Sequence, residues 1–178
     1  MDDLAGAGFI DGMLDMSLHE ITSGYFGGGF SYGPRSEIRL TQAVRNRVPL
    51  VVTPGGLDFV DFALGEFPDR MDERVYMMHN HKMAHIKILP DEARRIAREV
   101  KDRLAAVDYP VRLLLPTEGM RGNTGPGEEL YQPEVDAALL GELKMLKNPW
   151  VQIKEISGNL NTESWGREAA REMLEELK

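Results

Sequence analysis

Three of the four histidines fall within seven residues, as His79-Asn80-His81 and His85. On a strand, an H-x-H pair turns both imidazoles to one side, a spacing that suits zinc. Polar loop residues beside a ligand or an interface are the plainer reading. The string spells His-Asn-His, but nucleases of that name spread their ligands over a whole ββα module, and nothing in this chain matches one. His79, His81 and His85 stand as metal candidates, and His79 also as a candidate acid–base residue.

Two glycine-rich breaks offer a different chemistry. Gly27-Gly28-Gly29-Phe30-Ser31-Tyr32-Gly33-Pro34-Arg35-Ser36 enters a helix-forming segment. Glycines let backbone N–H groups approach an anion, a helix start adds partial positive charge, and Arg35 supplies a fork for phosphate. The spacing matches neither the dinucleotide fingerprint nor a P-loop, so tight-turn geometry is the competing reading. Pro54-Gly55-Gly56-Leu57-Asp58 follows the most apolar run, where paired glycines permit close approach of a ligand or of another backbone. Asp58 suits a ribose hydroxyl, a magnesium ion or the cap of a following helix. Glu118-Gly119-Met120-Arg121 lies in a glycine-bearing stretch suited to a lid. No serine has a nucleophile-elbow context.

Composition removes several alternatives. The 178 residues contain no cysteine, which excludes disulfides and thiolate chemistry, and the cytoplasm is the expected location. The net charge of −8, with 29 acidic against 21 basic residues, opposes general nucleic-acid binding. No apolar stretch approaches the ~20 residues of a membrane span. Met1-Asp2-Asp3 is acidic where a signal peptide is basic. The opening residues read as the tail of a helix, so an upstream segment is expected.

The elements that position these residues alternate in type. Apolar runs over 12–16, 48–53, 75–78, 111–115 and 150–156 read as strands. Residues 18–25, 37–46 (with Ser36 as N-cap), 90–106, 133–146 and 163–177 read as helices. Alternation of this kind predicts an α/β, three-layer Rossmann-like fold with a mostly parallel, doubly wound sheet of about five or six strands. In such sheets ligands collect beyond the carboxyl ends of the strands, which is where the glycines and polar residues gather.

Four strings together resemble one family. They are Ile10-Asp11-Gly12-Met13-Leu14-Asp15-Met16-Ser17 with Glu20, Gly27-Gly28 through Gly33-Pro34-Arg35, Val48 through Val60 around Pro54-Gly55-Gly56-Leu57-Asp58, and His79-Asn80. Leu114-Leu115-Pro116 with Gly119, Tyr131-x-Pro133-x-x-Asp136 and Asn161 fit as well. The chain is similar to Tm-one-like ATP-binding proteins, relatives of a plant resistance factor against tomato mosaic virus. The resemblance implies two Rossmann-like subdomains in tandem, with residues 1–178 as the second, carboxyl-terminal one beside an upstream lobe. It also implies ATP with magnesium as cofactor. Asp15, Ser17, Gly27, Gly28, Gly33, Arg35, Gly55, Gly56, Asp58, His79, Asn80 and Asn161 would be the ligand-binding positions. The family's Asp-Leu-Thr-Thr-Thr-Glu is Asp15-Met16-Ser17-Leu18-His19-Glu20 in this chain, its His-Asn-Pro is His79-Asn80-His81, and its Asn-Asp-Pro is Asn161-Thr162-Glu163. A divergent member with an altered ligand is consistent with these departures.

Three functions remain open on these residues. The first is a lobe binding a small phosphate-bearing molecule, with a nucleotide as the leading instance. The second is a metal-assisted enzyme of small-molecule metabolism using Glu20, Asp58 and His79. The third is a homo-oligomerisation or protein-interaction module presenting Phe59, Phe62, Phe67, Met77 and Met78.

Overall fold

In the computed structural model, which describes residues 1–29, 33 and 35–178, two sheets share the chain. The first is wholly parallel, with β1 (Met13–Asp15), β2 (Leu50–Val52), β6 (Val111–Pro116) and β7 (Val151–Ile156) side by side in that order. The second is antiparallel and three-stranded, in the order β3 (Phe59–Ala63), β5 (Met83–Lys87), β4 (Tyr76–Asn80). It lies in sequence between β2 and α5 (Pro90–Ala105), within the crossover that returns the chain to β6.

The parallel sheet is an apolar slab with helices on both faces, the three-layer α/β arrangement. Alternation along the strands splits its side chains between two cores. Met13, Leu50, Val52, Leu113 and Leu115 belong to the larger core, with Ile96, Val100 and Leu104 of α5 and Leu139 and Leu143 of α6 (Pro133–Leu143). Val51, Leu114 and Ile156 meet Trp165, Ala169 and Met173 of α7 (Glu163–Glu176) on the other side. The start of α5 is fixed by Pro90 in its first turn and by Glu92, whose carboxylate accepts from the Leu89 N–H at 2.7 Å. Thr162 opens α7 by accepting from the Trp165 N–H.

Several local expectations change. The segment over 37–46 is not one helix but two short ones, α3 (Arg35–Ile38) and α4 (Thr41–Arg45), parted by Leu40 at φ 67°. Ser36 lies inside α3, and its hydroxyl donates to the Gly33 carbonyl instead of capping a helix start. The run over 75–78 contributes to β4 of the antiparallel sheet, so the parallel sheet holds four strands. Asp58 is followed by β3, not by a helix to cap.

The antiparallel sheet has an apolar face and a polar one. Val60, Phe62, Ala84 and Ile86 form a small core with Phe26, Phe67 and Met71. Phe59, Asp61, His85 and Lys87 alternate with them on the opposite face, where Asp61 pairs with His85 and Phe59 with Lys87 in the ladder. This polar face meets the segments that follow β1 and β6, as the contacts of His19 and Arg121 show.

Candidate functional site

The polar face of the antiparallel sheet and the segments leaving β1, β2, β6 and β7 build one constellation. Its centre is Phe59. The His19 ring stacks on it at 4.3 Å with a 20° interplanar angle, and the Arg121 guanidinium carbon lies 3.8 Å from its centroid. His85 approaches edge-on at 5.2 Å. Beside the ring, one carboxylate serves two imidazoles. Asp61 Oδ1 takes the His85 Nδ1 contact, and Asp61 Oδ2 lies 3.3 Å from His19 Nε2. His19 is fixed at its other nitrogen, where Nδ1 donates to the Gly56 carbonyl at 2.9 Å. Burial by itself would raise the Asp61 carboxyl, but the two imidazoles outweigh burial and hold it below the usual carboxylate range.

Arg121 arrives on the loop after β6. That loop is tied to the one after β7. Asn159 Nδ2 donates to the carbonyls of Glu118 at 3.0 Å and Arg121 at 2.8 Å, and the Leu160 N–H donates to the Gly119 carbonyl. Gly119, at φ 104°, lies against Asn159, and a Cβ there would stand 2.8 Å from its amide nitrogen. Arg121 donates through Nε to Asn123 Oδ1 at 2.6 Å, and its two terminal nitrogens hold no hydrogen bond among the described residues. No carboxylate among the described residues pairs with it. Burial pushes its pKa down, against the opposing pull of Asp58 and Asp61.

Two further charge clusters flank this centre. Arg39 donates through Nη1 to Asp2 at 3.0 Å, through Nη2 to Asp15 at 2.6 Å and to the Ser17 carbonyl at 2.7 Å, and through Nε to Glu20 at 3.1 Å. Asp15 is pushed up to about 6, first by burial and then by Asp2 and Glu20, which Arg39 offsets only in part. On the other side, Lys87 Nζ stands 2.8 Å from Asp58 Oδ2 and 3.5 Å from Asp136 Oδ1. Burial pushes Asp136 up to about 6 despite Lys87, with Asp58 adding to the rise.

The positions singled out in the sequence fall into separate groups. Asp15 and Glu20 are both engaged by Arg39, and Asp58 is wholly buried against Lys87. Ser17 is exposed beside Gly56, where a Cβ on the glycine would stand 2.9 Å from the serine hydroxyl. Gly55 accommodates backbone rather than ligand, since a Cβ there would lie 2.1 Å from the Met16 carbonyl oxygen. His79 is exposed, with its ring 4.4 Å from that of His85. Asn80 accepts from the Lys82 N–H in the exposed β4–β5 turn that also carries His81. Among the described residues no three His, Asp or Glu side chains stand in a ligating arrangement. Asn161 is exposed after β7 and donates its N–H to Asn159 Oδ1.

The two glycine turns occupy opposite ends of α2 (His19–Phe26). Gly56 lies against His19 at its start, and Gly27 closes its end at φ 63°. A helix of that length separates its ends by about 12 Å. Gly28 and Gly29 pack on Phe62, Val60 and the Asp61 carbonyl of β3. Gly33 accepts the Ser36 hydroxyl. Phe30, Ser31, Tyr32, Pro34 and the side chain of Arg35 lie outside the described residues.

Residues 1–177 match the family described as Uncharacterised protein family (UPF0261) C-terminal domain. The chain belongs to this family. A UPF0261 protein of Brucella suis is 30% identical over 166 residues, covering 93% of this chain and 39% of its own length. One from Clostridium tetani is 31% identical over 176 residues, covering 98% and 43%. The tomato ToMV resistance protein Tm-1(GCR237) is 27% identical over 178 residues, covering 98% and 23%. The chain thus spans less than half the length of these relatives. Among the described residues no helix is long and apolar enough to cross a membrane.

His19 and Asp61 were not singled out as site residues in the sequence, and Arg121 entered only within a glycine-bearing stretch suited to a lid. His19 and Arg121 reach the Phe59 ring from α2 and from the loop after β6, and Asp61 lies two residues along β3 from it.

Proposed function

We infer that this UPF0261 domain binds a small phosphate-bearing molecule, with a nucleotide as the leading instance, at the rim formed by Arg121, His79 and His85. The observation that carries the reading is the Arg121 guanidinium, its carbon 3.8 Å from the Phe59 centroid, half-buried and without a carboxylate partner among the described residues. Removing a guanidinium from water costs free energy that an ion pair normally offsets. A site that keeps one unpaired beside imidazoles is organised for an incoming anion, and arginine's planar fork fits phosphate oxygens in pairs. Local placement is needed because the whole chain carries −8. Ser17 and Asn161, both exposed, stand on the segments after β1 and β7 and are the candidates for the rest of such a ligand. ATP with magnesium is the first probe, as the family resemblance directs.

Calorimetric titration of orthophosphate and of ATP with magnesium into the wild type and Arg121→Gln tests this. Loss of one bidentate charged pair weakens affinity by roughly tenfold or more. Equal heats in the two proteins remove the proposal.

Self-association is a second reading, favoured by β4. It is an edge strand, with Tyr76 at 49% and Met78 at 43% exposure. A molar mass by light scattering that stays at 20.0 kDa across a concentration series removes it.

A further inference from the structure

The Asp61–His85 pair has the layout of an activated imidazole. A carboxylate only accepts, so the contact at Asp61 Oδ1 places the neutral imidazole proton on His85 Nδ1 and leaves the lone pair on Nε2. That nitrogen has no hydrogen-bond partner among the described residues. On its other side the same carboxylate lies 3.3 Å from His19 Nε2, a contact that is attractive when His19 is the imidazolium, since Nδ1 already donates to the Gly56 carbonyl. Arg121 and His85 meet the same Phe59 ring, one on its face and the other at its edge. A fixed base, a carboxylate that fixes it and a cation free to receive phosphate oxygens are the parts of nucleophilic phosphoryl transfer.

We propose that His85 accepts a phosphoryl group on Nε2 from a phosphoryl donor held by Arg121. The proposal rests on the anion-binding reading above and adds chemistry to it. In the step, the Nε2 lone pair forms a bond to the terminal phosphorus. The bond from phosphorus to the bridging oxygen breaks, and its electron pair leaves with the departing group, which is ADP when the donor is ATP. The Nδ1 proton stays in place, and Asp61 offsets the positive charge that develops on the ring. Arg121 receives the non-bridging oxygens, whose charge spreads as the group transfers. Attack by water on the phosphorus then breaks the N–P bond, releases orthophosphate and restores the imidazole. In this scheme His85 is the catalytic residue, and Asp61 and His19 position it.

The experiment is phosphoenzyme trapping on the full chain. Wild type is incubated with terminally labelled ATP plus magnesium, and separately with acetyl phosphate, then quenched in alkali. Label that survives alkali, is lost in acid and maps to His85 is the expected result. His85→Asn should lower it at least tenfold while its far-ultraviolet circular dichroism and cooperative thermal unfolding match the wild type, which excludes misfolding as the cause. Asp61→Asn should slow labelling at least tenfold. Its nitrogen-15 spectrum should show the His85 proton no longer confined to Nδ1, a signature that mere loss of stability does not produce. Binding of ATP without label on the wild type overturns this inference alone and leaves the binding reading standing. Label that persists in His85→Asn, or maps to His79, also overturns it. Absence of binding to ATP, acetyl phosphate and orthophosphate alike removes both.

Discussion

Lys87 Nζ lies 2.8 Å from Asp58 Oδ2 with both side chains closed to solvent, at 1% and 0% exposure. An ion pair this deep holds its place because each partner would be costly alone, and Asp136 joins it from α6. Lys87→Met is therefore expected to destabilise the fold by about 3–5 kcal/mol. The double variant Lys87→Met with Asp58→Leu should lose much less than the two single changes added together. Urea unfolding measures both, and a Lys87→Met loss under ~1 kcal/mol would contradict the assignment, since stranding a buried charge costs several times that.

Arg39 gathers Asp2, Asp15 and Glu20 under one guanidinium. Arg39→Gln strands three carboxylates, two of them buried, and is expected to cost about 3 kcal/mol or more. The same change removes the charge that lowers Asp15, so the Asp15 carboxyl should titrate above its present value of about 6. Carbon-13 NMR of that carboxyl across pH supplies the check, and an unchanged midpoint would refute the role given to Arg39.

Asp136 sets a pH dependence whose sign is opposite to that of a salt-bridged surface acid. Its folded value of about 6 lies above the ordinary aspartate value of 3.8, so the native state holds the proton more tightly. The resulting stability is fully present below pH ~4 and is lost as pH rises through ~6. Asp136→Asn never ionises. It should flatten the stability profile across that window and gain up to roughly 3 kcal/mol at pH 7. Thermal unfolding from pH 4 to 7 tests this, with parallel profiles for the two proteins as the failing outcome.

Two glycines of the sequence motifs should respond in opposite ways. Gly55→Ala drives a methyl to 2.1 Å from the Met16 carbonyl oxygen, a clash with backbone that only moving β1 against β2 relieves. Severe loss of stability or of soluble protein is expected. Gly27→Ala meets nothing within 4 Å among the described residues and bears only the left-handed conformation, at about 1–2 kcal/mol. Similar melting temperatures for the two variants would show that Gly55 is not held where the structure has it.

How much was legible beforehand follows from the range of the interactions. The α/β class, the parallel strands β1, β2, β6 and β7, and the long helices α5, α6 and α7 were written in hydrophobic periodicity, a property of neighbours along the chain. The break at Leu40 was not, because a leucine at positive φ is imposed by its burial in the core and not by its own preference. The antiparallel sheet was also missed. Phe59-Val60-Asp61-Phe62-Ala63 puts a carboxylate where an outward-facing polar residue would stand, and only a second polar layer makes that side an interior.

The sequence by itself determined which segments form the slab and that polar residues and glycines collect beyond its strand ends. Tertiary structure alone decided which charges are spent and which are free. Glu20 and Asp58, attractive as isolated letters, are neutralised by Arg39 and Lys87 from distant elements, while Arg121 on the face of Phe59 has no carboxylate partner among the described residues. Periodicity acts over a few residues of chain. Charge compensation acts over a few ångströms of space, between residues that the chain order keeps apart.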